Sequence, residues 1–364
     1  MDPTPNYTLQ LVSELRGHDE RAWQVAWNPA KPLIASCSAD KTVRLYSYKL
    51  NADDPTMSIS FSHVTTISTP HTKTVRSIAW APSGKVLASG SFDSNVGVYE
   101  TQGGSDDDMD LSETSEWECV TLLEGHETEC KSVAYSSSGT LLASCSRDKT
   151  VWIWEVQPDS DFECMGVLME HTQDVKCVTW HPKEEILASA SYDDTIKLYI
   201  DDPSEDWYCF ATLTGHDSTV WSLTWSPDGN YLASSSDDLT IRIWKRIDQY
   251  KWKFVHRIKC HERTIFSISW GSGKGSSPNG LGWLASTGSD GKLNVWEIAE
   301  LPEQPDNTKP ALDTKLIVSV LCAHDISDVN SVQWCPRPGF ENLLATAGDD
   351  GSMKVWRVIS ANNI

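Results

Sequence analysis

Histidine, serine and aspartate recur together along these 364 residues, and that combination is the first to examine for chemistry. His126 is followed by Ser144 eighteen residues on, by Asp148 four later and by Trp154 six later. A carboxylate that orients an imidazole, which in turn activates a hydroxyl, is the arrangement of a nucleophilic hydrolase. Six other stretches carry the same marks. His18, His71, His171, His216, His261 and His324 are each followed by a Ser or Thr, then by Asp40, Asp93, Asp193, Asp238, Asp290 and Asp350. Six residues beyond each Asp comes an aromatic: Tyr46, Tyr99, Tyr199, Trp244, Trp296 and Trp356. The His-to-Asp interval is 22 in five copies and 29 and 26 in the last two. A hydrolase builds one such set beside one oxyanion hole, with no use for seven copies or a terminal aromatic. The set His126, Ser144, Asp148, Trp154 therefore reads as structural. Asp accepts hydrogen bonds from a tight turn and orients the His, which passes the link to the hydroxyl and, in some copies, to a Trp indole. The three Tyr copies need a different bond geometry. No catalytic residue is assigned, and the chain is expected not to be an enzyme.

The elements that would position these marks are short β-rich runs between tight turns. A repeat of about 40 residues of this kind is the signature of a WD40 propeller, one blade per copy. The expected fold is all-β: a single seven-bladed WD40 β-propeller over 1–364, with repeats near 8–46, 71–99, 117–154, 164–199, 207–244, 254–296 and 315–358. This overrides the length, which alone suggests two or three domains. The N-terminal strand TLQLVSEL (8–15) has no blade of its own and is expected to close the last blade beside Met353–Val358. In a four-stranded meander the His turns and the Asp turns leave at the same rim, the top. The long polar insertions at 49–60, 100–116, 271–282, 298–313 and 335–342 all fall at the other rim. With them goes the acidic run Asp106, Asp107, Asp108, Asp110 and Glu113, read as a solvated loop. Short turns leave the top open for docking.

Thirty Lys and Arg against 51 Asp and Glu give a formal net charge of −21. Such a surface repels phosphate and anionic lipid, so neither nucleic acid nor membrane is an expected partner. No run of eighteen apolar residues occurs, and MDPTPNYTLQ has neither the basic nor the apolar segment of a secretory leader. A soluble, intracellular protein is expected. The ten Cys form no CxxC pair, so reduced, mostly buried thiols are expected, with no metal and no cofactor. Cys37 and Cys145 share one repeat position with Gly90, Ala190 and Ser235, which marks a small-residue packing site.

Function must then lie in positions the repeat leaves free. In WD40 folds these are the residues three and five after the His and the residue before the Asp. The five-after position gives Trp23, Arg76, Lys131, Lys176, Trp221, Phe266 and, after a one-residue insertion, Asn330. The pre-Asp position gives Ala39, Phe92, Arg147, Tyr192, Asp237, Ser289 and Asp349. Arg76, Lys131, Arg147 and Lys176, flanked by Phe92 and Tyr192, form a basic arc; Trp221, Phe266 and Trp23 form an aromatic one. Together they suit an acidic peptide with an apolar anchor, or a free C-terminal carboxylate. The competing reading pairs Glu129 and Asp174 with Lys131, Lys176 and Arg147 as a rim ion network. Arg147 stands out because no other copy is basic at its position.

Several motifs go beyond a generic repeat: SFDS (91–94), EGHE (124–127), CSRDKTVWIWE (145–155), EHTQDVK (170–176), ASYDDTIKLY (190–199) and GDDG (348–351). Together they closely resemble the WD-repeat protein of the cytosolic iron–sulfur protein assembly (CIA) machinery, over all seven copies and most specifically from 71 to 244. The resemblance implies a non-enzymatic subunit of the CIA targeting complex, beside a small CIA partner protein and a HEAT-repeat scaffold. It implies docking of iron–sulfur apoproteins, many of them DNA replication and repair enzymes, for late-stage 4Fe–4S insertion, and contact with an iron-only hydrogenase-like assembly factor. The family's functional top-face arginine matches Arg147. A cytoplasmic location follows, with a nuclear pool left open. Departures are confined to the loops at 101–116 and 271–282, which puts in doubt contacts carried by them. The alternative is a WD40 substrate receptor or peptide reader in a ubiquitin ligase or chromatin complex. A receptor usually brings an adaptor-binding helical segment, and none is apparent; a reader of basic tails needs an acidic mouth.

Overall fold

The computed structural model describes residues 7–51, 58–101, 117–158, 161–202, 206–273, 277, 279–301 and 312–360. Twenty-eight strands, β1 to β28 in chain order, form seven four-stranded antiparallel sheets. The first blade runs from β2 (Ala22–Trp27) at the channel through β3 (Leu33–Ser38) and β4 (Thr42–Leu50) to β5 (Ile59–Ser68) at the outside. The seventh is closed by β1 (Tyr7–Leu15), which pairs with β28 (Met353–Ser360) from Tyr7↔Ser360 to Leu15↔Met353. The sequence repeat at 8–46 thus straddles two sheets: its first strand belongs to the last blade and the rest to the first. Among the described residues there is no helix.

The second strand of each blade lies between two neighbouring blades, so its centre is built of small residues. LIASCS in β3 and LLASCS in β11 (Leu141–Ser146) are buried at every position. Gly90 shows why the packing site is small: a Cβ there would sit 2.8 Å from Cys130 Sγ. All ten thiols are free, but they are not mostly buried: Cys119, Cys164 and Cys322 are exposed. Cys119 and Cys164 lie on outermost strands, which the spacing of the cysteines could not reveal.

The insertions are shorter than the sequence suggests at several ends, because ladder pairing continues into them. Leu50 pairs with Ile59, Thr101 with Trp117 and Glu300 with Leu312. The acidic run at 106–113 lies outside the described residues.

Around the channel, six of the seven blade junctions share one equivalent hydrogen bond. The residue six after the His, or seven after His324, accepts from the backbone N–H of the next blade's inner strand. Gln24 takes Ile78 N at 2.8 Å, Ser77 takes Val133 N at 3.1 Å and Ser132 takes Val178 N at 3.3 Å. Ser222, Ser267 and Ser331 do the same for Ile268, Val332 and Val25. At the remaining junction the Cys177 thiol faces the Leu223 amide.

Candidate docking site at the channel mouth

The seven His–Asp–hydroxyl sets have the connectivity of hydrolytic triads, and burial closes them. His126 Nδ1 donates to Asp148 at 2.9 Å, Ser144 Oγ lies 2.9 Å from His126 Nε2, and Trp154 Nε1 donates to Ser144 at 3.1 Å. Ser144 has no exposed surface, so no substrate reaches its oxygen. The link varies at its far end. Trp244 and Trp356 also reach their hydroxyls, and Tyr99 and Tyr199 lie 3.1 and 3.3 Å from Ser89 and Ser189. Tyr46 instead donates to the Arg16 carbonyl at 3.3 Å. The Trp296 indole has no partner among the described residues; in that blade Asn294 reaches His261 at 3.2 Å. Burial by itself would raise each Asp carboxyl, but the bonds from His126 and Thr150 outweigh it and hold Asp148 well below the usual carboxylate range. The same balance brings Asp290 and Asp350 down to about 2.

The five-after-His residues share a structural cause. In every blade the inner pair of strands slips register at that residue: between Ala22 and Gln24, Val75 and Ser77, Cys130 and Ser132, Val175 and Cys177. The other three blades slip at Trp221, Phe266 and Asn330. Each is a bulge residue, left out of the ladder and free to be re-aimed. All seven side chains accordingly line one cavity of about 260 Å³ at the top of the channel, joined by Phe92, Arg21, Asp328 and Asp349.

Around this mouth the cations of the second to fourth blades stand beside the rings of the fifth, sixth and first, and cations sit on rings where the two groups meet and on the flanking Phe92 and Tyr192. Arg76 lies 4.7 Å over Trp23, Lys131 lies 4.1 Å over Phe92, and Lys176 sits 5.1 Å from Trp221 and 5.3 Å from Tyr192. Trp221 meets Phe266 edge-on at 5.3 Å and donates to Asp237 at 2.8 Å. Asn330 donates to Asp349 at 2.8 Å. Arg76 is half-buried, burial pushes its pKa down, and among the described residues it forms no salt bridge.

A shallow groove leads outward from the mouth between the third and fourth blades. It is lined by Glu129, Lys131, Arg147, Gln173, Asp174 and Tyr192, with Lys131 common to both hollows. The rim ion network is present: Lys131–Glu129 at 3.0 Å, Lys176–Asp174 at 3.3 Å, and Arg147 with Glu129 at 3.4 Å and Asp174 at 4.0 Å. Arg147 nonetheless keeps 58% of its side chain exposed, against 16% for Lys131 and 12% for Lys176. Arg21 and Asp328 escaped sequence reasoning, although Arg21 holds the three-after-His position that singled out Glu129 and Asp174. Reading that position around the ring would have found it. Among the described residues no group of His, Cys, Asp or Glu is arranged to hold a metal ion.

A ring of seven repeats with sealed polar sets and one aromatic, charged mouth defines the class: a WD40 propeller, a fold that typically serves as a non-catalytic interaction scaffold. The chain matches the WD domain, G-beta repeat family at residues 9–47, 61–100, 117–155, 162–199, 207–245, 252–297 and 315–357. It is 43% identical over 437 aligned residues to the probable cytosolic iron-sulfur protein assembly protein 1 of Cryptococcus neoformans var. neoformans serotype D, covering 96% of this chain and 99% of that one. The protein of the same name from Mycosarcoma maydis is 47% identical over 176 residues, 42% of this chain and 39% of its own. In that from Malassezia globosa, 57% of 93 residues are identical, 26% of each chain. The chain belongs to the family of WD40 proteins that carry this name, the cytosolic iron-sulfur protein assembly protein 1 family.

Proposed function

We propose that this chain is a non-enzymatic adaptor of cytosolic iron–sulfur cluster assembly, docking apoproteins and assembly factors for late-stage 4Fe–4S insertion. It works in the cytosol beside a small CIA partner protein and a HEAT-repeat scaffold, and meets the iron-only hydrogenase-like factor that brings the cluster. The cluster is cargo here and is not ligated by this chain. The top rim is the docking surface: Trp23, Arg76, Phe92, Lys131, Lys176, Trp221 and Phe266 at the mouth, Arg147 and Tyr192 in the groove. The observation that carries this reading is the convergence of seven bulge residues on one hollow. There Arg76 is left as a half-buried cation without a salt bridge among the described residues, beside rings that can seat an apolar anchor. An acidic or C-terminal segment would satisfy Arg76 and Arg147, and Trp221, Phe266 or Trp23 would take its anchor. A chromatin or ligase reading gains no support. Arg21, Arg76, Lys131 and Lys176 outnumber the carboxylates Asp328 and Asp349 at the mouth, and that balance repels a cationic tail.

The test is paired affinity purification from cytosolic extract, wild type against Arg147→Glu, with partners identified by mass spectrometry. Wild type is expected to retrieve iron–sulfur apoproteins and targeting-complex subunits, and the variant to lose the apoproteins. Ligase adaptors in their place would overturn the function. An unchanged partner list would move docking off this rim.

A further inference from the structure

The fifth blade has an outermost strand unlike the others. It is β21 (Trp252–Lys259), paired on one side with β20 (Thr240–Arg246) and, among the described residues, open on the other. Lys251 precedes it, and Lys253, Arg257 and Lys259 lie on it, all exposed. Among the described residues none of these four forms a salt bridge, whereas Arg242, Lys245 and Arg246 on β20 pair with Asp217 and Asp238, with Glu300 and with Glu184. The six other outermost strands are β1, β5, β9 (Trp117–Leu123), β13 (Phe162–Leu168), β17 (Asp206–Leu213) and β25 (Leu312–Val320), and together they hold a single Lys or Arg, Lys315. Lysine on an open edge often serves only to prevent sheet-to-sheet association. Five edges here do without it and the sixth has only Lys315, so the concentration on one strand of a chain of net charge −21 asks for a different cause. Among these cations Phe254 is 41% exposed, its ring steadied by Trp244 at 5.8 Å and Arg242 at 5.4 Å.

We propose that the outer edge of β21 docks an extended acidic segment of a partner protein, added as a fifth strand to the fifth blade. The segment's main chain takes the open edge, its carboxylates meet Lys251, Lys253, Arg257 and Lys259, and an apolar side chain packs on Phe254. A short acidic segment feels mainly these four cations, because salt screens charges beyond about 8 Å. A long polyanion such as nucleic acid spans the acidic surroundings as well, which disfavours it. This surface is separate from the channel mouth and stands whether or not clients dock there.

The test titrates the full chain into a fluorescein-labelled peptide of alternating glutamate and valine, read by fluorescence polarisation. A lysine–valine peptide and single-stranded oligothymidylate serve as comparisons. The glutamate peptide is expected to bind, to weaken with added salt, and to slow amide exchange at 252–259. The double variant Lys253→Glu, Arg257→Glu is expected to bind it about tenfold or more weakly. The neutral pair Lys253→Gln, Arg257→Gln guards against misfolding and is expected to lie between. Undiminished binding in both variants, protection at the channel mouth in place of β21, or preference for the oligothymidylate would each overturn the proposal. So would a wild type that ignores the peptide beside a neutral variant that self-associates, which would assign these cations to edge protection.

Discussion

At the scale of single residues, the strongest chemistry in the sequence turns out to be the most thoroughly shut away. The His–Asp–hydroxyl sets hold turn to strand, and each Asp carboxylate also accepts the amide two residues on, as Asp148 does from Thr150 at 2.9 Å. Removing it takes the carboxylate from His126 Nδ1 and leaves the amides of Glu127 and Thr150 without that acceptor. Asp148→Ala is therefore expected to lower stability by about 1–3 kcal/mol, measured by denaturant unfolding. The same carboxylates set the acid limit. Asp290 and Asp350 have an ordinary value near 3.8 and titrate at about 2 in the folded chain. A depressed folded value means that their stabilisation is complete above the ordinary value and is lost as pH falls toward 2. Unfolding midpoints followed from pH 6 to pH 2 should drop in that window, and less steeply in Asp350→Asn; an unchanged slope would remove Asp350 from the account.

At the scale of strands and turns, what could be read in advance was whatever repeats in residue type. His126 and its six counterparts, the Asp after each and the aromatic after that keep type and interval, so blade number and the structural role of the sets were legible. The inter-blade fastening was not. Its seven positions hold Gln24, five Ser and Cys177, and a Ser repeated there does not say which neighbouring blade's amide it meets. The seating of cations on rings at the mouth was illegible for another reason: Lys176 meets Trp221, and Arg76 meets Trp23, across blade boundaries that exist only once the ring has formed. His181 shows the same limit. It replaces Asn28 of the first blade, donating to Gly229 O at 3.0 Å as Asn28 donates to Gly84 O at 2.9 Å, and accepting two local amides as Asn28 does. The fastening gives a prediction at this scale. Ser132→Ala should cost about 1 kcal/mol, whereas Cys177→Ser supplies a stronger acceptor and should leave the unfolding midpoint equal or higher. A Cys177→Ser loss as large as that of Ser132→Ala would refute the ring of bonds as a cause of stability.

At the scale of the whole molecule, the propeller gathers one residue from each of seven blades at a single opening, so a docking surface arises from positions scattered along the chain. No segment cut from it would carry that surface. The ring also has one seam, where β1 lies against β28. Removing residues 1–15 is expected to leave β28 as an open edge and to make the seventh blade the first site of limited proteolysis, with association visible by size-exclusion chromatography. Resistance equal to wild type would show that the seam is dispensable. The seam has a consequence in time as well as in space. During synthesis β1 emerges before every other strand, yet the strand it pairs with emerges last, so it must wait, unpaired, while the intervening blades are made. The ring is latched by its oldest segment, and each newly made molecule passes through an interval in which that strand is free to be bound by something else.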